Sequence, residues 1–133
     1  MSSASHQLIV RFFDALNSGE LPAALFTDDM RVSSAVSTSS VDKQGYIGAI
    51  KLLQSLFPNR LNYQIDSLTA EEDRVAAAAH AAGTLNNGEQ YLNNYLLLFT
   101  LRDGKIAAIV EYFNPMPVAE KIAPLMKAAL AKR

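Results

Sequence analysis

The chain has 133 residues, half of them hydrophobic, and a formal net charge of −1. That length suits one domain, here taken as residues 1–133, with a sizeable core, and the apolar fraction argues against disorder. The near-neutral charge leaves no electrostatic footprint for nucleic acid, and the lack of cysteine excludes disulfides, thiolate metal ligands and cysteine nucleophiles.

The start, Met1-Ser2-Ser3-Ala4-Ser5-His6, carries neither a basic segment nor the long apolar stretch of a secretory signal. No apolar run approaches the length of a membrane span. The expectation is a cytoplasmic protein without a membrane partner. Residues 5–17 predict an amphipathic helix: Leu8, Ile9, Phe12, Phe13, Ala15 and Leu16 recur at helical spacing, Ser5 is placed to cap the start, and Gly19 to close the end. Glu20 to Phe26 predicts a short second helix with Pro22 in its first turn. Thr27-Asp28-Asp29 predicts a turn, Met30 to Val36 a strand, and the Ser/Thr-rich run through Ser40 a loop. Asp42 to Phe57 predicts a third helix, stopped by Pro58-Asn59 and burying Tyr46, Ile50 and Leu53. Leu61, Tyr63 and Ile65 alternate with polar residues, as in a half-buried strand.

Residues 71–83 carry conflicting signals. Glu71-Glu72-Asp73 ahead of an alanine run, with Gly83 behind it, reads as helix by propensity. The order of the surrounding elements favours a strand from Arg74 to Leu85 instead. Asn86-Asn87-Gly88-Glu89 and Asp103-Gly104 are hairpin turns, each with a glycine for the positive φ. Between and after them lie two long strands. On the first, Tyr91, Asn93, Tyr95, Leu97 and Phe99 share a face, mostly apolar with a few polar groups, which suits a pocket wall. Leu92, Leu96 and Leu98 share the opposite face, and an exposed apolar sheet face of that kind predicts a covering partner. A last helix is expected from Pro117 to Leu130, burying Val118, Ile122, Leu125, Met126 and Leu130 and disturbed by Pro124.

The order of these elements joins several short motifs: Val-Arg-Phe-Phe-Asp-Ala-Leu-Asn-Ser-Gly-Glu (10–20), Phe-Thr-Asp-Asp-Met-Arg-Val (26–32), Asp-Arg-Val-Ala (73–76), Gly-Thr-Leu (83–85), Tyr-Leu-Asn-Asn-Tyr (91–95), Arg-Asp-Gly-Lys-Ile (102–106) and Glu-Tyr-Phe-Asn-Pro (111–115). Together, over about residues 6–116, they resemble the SnoaL-like branch of the nuclear transport factor 2-like superfamily, which also holds ketosteroid isomerases, polyketide cyclases and limonene epoxide hydrolases. The resemblance implies an α+β fold: a cone-shaped, strongly curved and mostly antiparallel sheet wrapped around N-terminal helices, a pocket at one end, and often a homodimer through the outer face. It also makes the segment after Asp73-Arg74-Val75 a strand. Fold of this kind does not fix function.

The resemblance places the base of the ketosteroid isomerases near Ser34, their tyrosine near Phe12 and their second acid near Leu97. All three are the wrong type: serine without a neighbouring base abstracts no carbon-bound proton, and Phe and Leu donate no hydrogen bond. Nor does the strand after Val75 hold the Asp-Arg-Asp constellation of the epoxide hydrolases. Glu111 is the leading acid–base candidate, since Ile109, Glu111 and Phe113 share a face that the resemblance turns into the cone. Desolvation among Leu97, Phe99 and Phe113 would raise its pKa toward neutrality. The competing reading is a structural acid hydrogen-bonded to Asn93 or Tyr95. His80 is the second catalytic candidate: counting back from Asn87-Gly88 puts it on the pocket face with Ala82 and Thr84, against the alternative of a rim or surface histidine.

Tyr91, Asn93 and Tyr95 are candidates to orient a ligand, or else a polar ladder closing the strand's open end. Phe12, Leu97, Phe99 and Phe113 supply apolar contact. Asn94 belongs to the other face, at a dimer or helix contact, and Asn114 shapes the turn before Pro115. Two histidines without clustered carboxylates fall short of a metal site, and no cofactor is expected. The expected activity is that of a pocket for a small hydrophobic molecule, with Glu111 serving a cofactor-independent isomerase, cyclase or lyase. The alternative is a non-catalytic ligand-binding or dimerisation module.

Overall fold

A computed structural model describes residues 3–132, so Met1, Ser2 and Arg133 lie outside the description. Helix α1 spans Ala4–Ser18 and buries Leu8, Ile9, Phe12, Phe13 and Leu16. Its cap is Ser3, not Ser5: the Ser3 hydroxyl accepts from the His6 N–H at 3.1 Å. Gly19 ends the helix with φ 87° and donates to the Leu16 carbonyl, a left-handed closure that glycine adopts without a Cβ penalty. The expected second helix is a single 3₁₀ turn, Ala23–Leu25, because Pro22 precedes it and strand pairing begins at Phe26. Strand β1 is Phe26–Ser34, so Thr27-Asp28-Asp29 is strand rather than turn. The loop that follows ends in a short strand, β2 (Ser40–Asp42), which the serine-rich sequence concealed. Helix α2 (Lys43–Ser55) starts on the Asp42 carboxylate, which accepts from Gly45 N–H at 2.8 Å.

Strands β3 (Asn62–Glu71), β4 (Arg74–Thr84), β5 (Gln90–Arg102) and β6 (Lys105–Phe113) complete a six-stranded sheet in the order β2-β1-β6-β5-β4-β3. All neighbours are antiparallel except β1 and β6. The alanine run is therefore strand: pairing on both sides by β3 and β5 outweighs its helix propensity, which is worth only a few tenths of a kcal/mol per residue, roughly. After β6, the turn α3 (Pro115–Pro117) is capped by Asn114, whose side chain accepts from Met116 N–H. A π-helical turn, Val118–Ile122, joins it to α4 (Ala123–Ala131). The disturbance expected of Pro124 takes this form: the wider turn lies just before the proline, which then occupies the first turn of α4. Ile122 is buried, whereas Leu130, expected to be buried, is 53% exposed.

Two side-chain amides fasten the helices to one another and to the chain at the start of β3. Buried Gln54 donates to the carbonyls of Leu16 (2.8 Å) and Leu61 (2.9 Å) and accepts from Leu61 N–H (2.7 Å). Asn17 makes a matching pair of bonds with the backbone of Tyr63. Between helices and sheet lies an aromatic cluster in which Phe12 meets Phe13, Phe26 and Phe99 edge to face.

Gly83 makes room for Phe57, which packs against Tyr91. A Cβ there would stand 2.8 Å from the Phe57 ring and 3.2 Å from the Arg60 carbonyl. Gly83→Ala is expected to lower stability by about 1–3 kcal/mol, the scale of overpacking, read as a reduced denaturation midpoint.

Candidate functional site

The inner faces of β1, β3, β5 and β6, with α1, α2 and the C-terminal segment, enclose a cavity of about 340 Å³. Its wall is apolar over Leu16, Val32, Ile50, Leu53 and Leu97, and Val118, Ile122 and Met126 line it from the C-terminal segment. Tyr46, Tyr63, Tyr91 and Tyr95 also line it, and serines 33, 34, 37, 39 and 40 contribute hydroxyls. Among the described lining residues Glu111 is the one acid.

Strand pairing explains where Glu111 sits. It pairs with Leu97 of β5 on one side and with Ser34 of β1 on the other, and all three line the cavity. Burial raises its carboxyl from the ordinary 4.5 to about 7, and the nearby Tyr46 hydroxyl opposes that rise. A group poised there exists in both protonation states near neutral pH, as a proton-transfer catalyst requires. Burial, reinforced by the Glu111 charge, holds Tyr46, Tyr63 and Tyr95 well above the usual phenol range, so they remain hydrogen-bond donors.

The expected partners of Glu111 are engaged elsewhere. The Asn93 amide bonds to Tyr91 Oη and to the backbone of Asn94 and Asn114. Tyr95 Oη lies 2.7 Å from Tyr91 Oη. Tyr46, from the opposite wall, is instead the hydroxyl near enough to influence the Glu111 carboxyl. Its place four residues after Asp42, on the buried side of α2, was visible in the sequence, but nothing local paired it with β6.

His80 is not in the site. It occupies the outer face, half exposed, with Nδ1 2.9 Å from Asp66 Oδ1. The cause is the hairpin before β5. Leu85 N–H bonds to Glu89 O and Gly88 N–H to Leu85 O, with Gly88 at φ 89°, leaving a three-residue loop of Asn86, Asn87 and Gly88. A two-residue turn at Asn87-Gly88 would shift the pairing by one position. The observed register sets Gly83 against Tyr91 and His80 against Asn94, and such a shift reverses every side chain of β4. Phe12 and Phe99 are also outside the cavity: both are fully buried in the aromatic cluster beneath it. Tyr91, Tyr95, Leu97 and Phe113 line it as expected, while Asn93 lies behind Tyr91. Asn94 is exposed on the outer face.

The SnoaL-like domain family matches residues 9–109. No curated protein matches the sequence. Among solved structures, a proposed SnoaL-like polyketide cyclase from Jannaschia is 20% identical, with a TM-score of 0.77 over 90% of this chain and 92% of that one. A nuclear transport factor 2-like protein from Anabaena variabilis is 21% identical, with a TM-score of 0.72 over 84% and 87%. A proposed isomerase from Bacillus subtilis is 18% identical, with a TM-score of 0.75 over 90% and 92%. At these identities the likeness establishes the nuclear transport factor 2-like fold.

The raised Glu111 pKa has a stability consequence. The folded state holds the proton more tightly than the unfolded one, so stability falls as pH rises from about 4.5 to 7, and the penalty is complete above that. Glu111→Gln removes the ionisation. The variant is expected to match the parent near the lower end of that window and to exceed it above the upper end by about 1–3 kcal/mol, in urea titrations across pH.

Proposed function

Because this chain belongs to the SnoaL-like domain family, we propose that its cavity takes up a small, largely apolar molecule and that Glu111 moves a proton on it. The reaction class is that of a cofactor-independent isomerase, cyclase or lyase. The observation that carries this reading is the carboxyl of Glu111, the one acid among the described lining residues, poised near neutrality on a wall of apolar, tyrosine and serine side chains. In its charged form Glu111 accepts a proton from carbon next to a carbonyl. In its neutral form it returns that proton at another atom. Among the solved structures with this fold are proposed polyketide cyclases and a proposed isomerase, which supports the same class. The residue at the position where isomerases of the resemblance hold their base, Ser34, is the cross-strand neighbour of Glu111. A carboxylate one strand away reaches the same space.

The competing reading is a ligand-binding or dimerisation module without catalysis. An open cavity of about 340 Å³ favours ligand uptake over a pocket filled by its own side chains. Screening apolar and polycyclic carbonyl compounds for turnover separates the two. With a turned-over compound in hand, Glu111→Gln is expected to lower kcat by at least about a hundredfold, the scale of general acid–base catalysis. Parent kcat should rise with pH through about 7 and level off if the charged form acts. Binding that Glu111→Gln leaves intact, with no turnover of any compound by the parent, points to the binding module.

We further propose that the outer sheet face pairs two copies of the chain. Leu92, Leu96 and Tyr112 are 64%, 41% and 42% exposed, and Leu96 pairs with Tyr112 across adjacent strands. Exposed apolar side chains of this size on a sheet face are costly in water. Light scattering at micromolar concentration is expected to give a dimer mass, and Leu96→Lys a monomer. A monomeric parent would refute the pairing.

A further inference from the structure

The cavity differs from one end to the other. Its deep wall is apolar, with Leu16, Val32 and Leu97 buried. The lining residues Ser37, Ser39, Ser40 and Val41 are exposed, so the cavity opens along the loop of residues 35–39 and the start of β2. Glu111 stands between these ends. It is half-buried, Ser34 is its ladder partner, and its backbone carbonyl accepts from Ala35 N–H at 3.0 Å, where the loop departs. Hydrocarbon and tyrosine rings line the interior, hydroxyls line the mouth, and the carboxyl lies at the boundary.

A serine hydroxyl has one hydrogen to donate and two lone pairs that accept. At the mouth the lone pairs meet groups that can only donate. Ser34 Oγ accepts from Val36 N–H at 3.1 Å, and Ser37 Oγ accepts from Ser39 N–H at 3.1 Å. Ser40 Oγ accepts from the Arg31 guanidinium, through Nε at 3.2 Å and Nη2 at 2.8 Å. Ser37 Oγ and Ser39 Oγ lie 2.8 Å apart, so one of their hydrogens is used between them and the other is left over. Among the described residues no acceptor takes the hydrogen of Ser34 or of Ser40. Arg31 adds positive charge behind Ser40. The carboxylate of Asp42, its ladder partner, is turned to Gly45 N–H at the start of α2. The strip therefore presents donors to whatever occupies the mouth.

We propose that the serine strip is a second, polar subsite, and that the cavity takes amphiphilic molecules, with an apolar body inside and a tail of acceptor oxygens at the mouth. This rests on the ligand-uptake reading above and deepens it by naming the ligand class. Carboxylate, ester and sulfonate tails share the chemistry, since each offers oxygens and no hydrogen to donate. Burial of the apolar body drives uptake. Water competes for exposed hydroxyls, so the strip contributes orientation and a smaller share of the affinity. A molecule held at both ends brings the carbon that joins body to tail beside Glu111. The tail thus sets which carbon meets the carboxyl.

The test uses two fluorescent probes, anilinonaphthalenesulfonate and phenylnaphthylamine, which share an apolar body and differ in the sulfonate. Binding is measured about two pH units below the Glu111 pKa of about 7, where the carboxyl is neutral and does not repel the anion. The two probes are expected to compete for one site. The variant carrying Ser37→Ala, Ser39→Ala and Ser40→Ala together is expected to bind the sulfonate about tenfold more weakly, as loss of hydrogen bonds to a charged group does, and phenylnaphthylamine within about twofold of the parent. Retained phenylnaphthylamine binding also shows that the variant is folded. Equal weakening of both probes, sulfonate affinity kept within about twofold, or failure of the two to compete overturns the serine subsite. Failure of phenylnaphthylamine to bind the parent overturns the ligand-uptake reading itself, and this inference with it.

Discussion

The strict alternation of β5 is the constraint on which the rest depends. Its thirteen residues send Tyr91, Asn93, Tyr95, Leu97 and Phe99 inward, and both neighbouring strands take their register from it. Fixing that strand fixes which side of β4 is small, which side of β6 carries Glu111, and where the polar stretch gives way to the apolar one. At the apolar end Phe99 closes on Phe12 and makes core. At the polar end the tyrosines and Asn93 have hydroxyls and an amide that must be paired, and pairing them requires the backbone of Asn114. The turn into the C-terminal segment is thereby tied to the cavity wall.

The site works against the stability of the domain. A carboxyl in an apolar cavity raises its own pKa because charge is poorly solvated there, and the same cost is subtracted from folding whenever the group ionises. The amide clamps of Gln54 and Asn17 act through backbone groups, and the aromatic cluster packs behind the cavity wall, meeting Tyr46 through Phe26 and Tyr63 through Phe13. They hold the helices against the sheet without drawing on Glu111. The arrangement separates a well-satisfied scaffold from a strained chemical group, a division that lets one fold carry several activities.

Most of the fold was legible from the sequence because it rests on periodicity and turns. Helix α1 and its Gly19 closure, α2 behind Asp42, and the alternation of β5 all follow from local pattern. So does the Asp103-Gly104 turn, where both residues take positive φ. The alanines of β4 were different. Their local preference is helix, and only the pairing of β3 and β5 along both edges makes them strand. The inward direction of Glu111 was legible for the same reason as β5: parity along a strand is local.

What the sequence did not determine is who stands opposite whom. The loop of Asn86, Asn87 and Gly88 holds three residues rather than two, and that one residue sends His80 outward to Asp66. An Asn-Gly pair is compatible with either loop, so the choice falls to the burial of Leu85 and Tyr91 on the inner face. The partnership of Tyr46 with Glu111 joins a helix to a strand many residues away, and no local signal encodes it. Phe12 and Phe99 were rightly read as inward, but whether an inward residue meets a ligand or another ring depends on how deep it lies. Sequence by itself set the faces, since a side chain's direction follows from backbone period. The tertiary structure set the partners and the depth, since those depend on register between strands and on how the helices close over them.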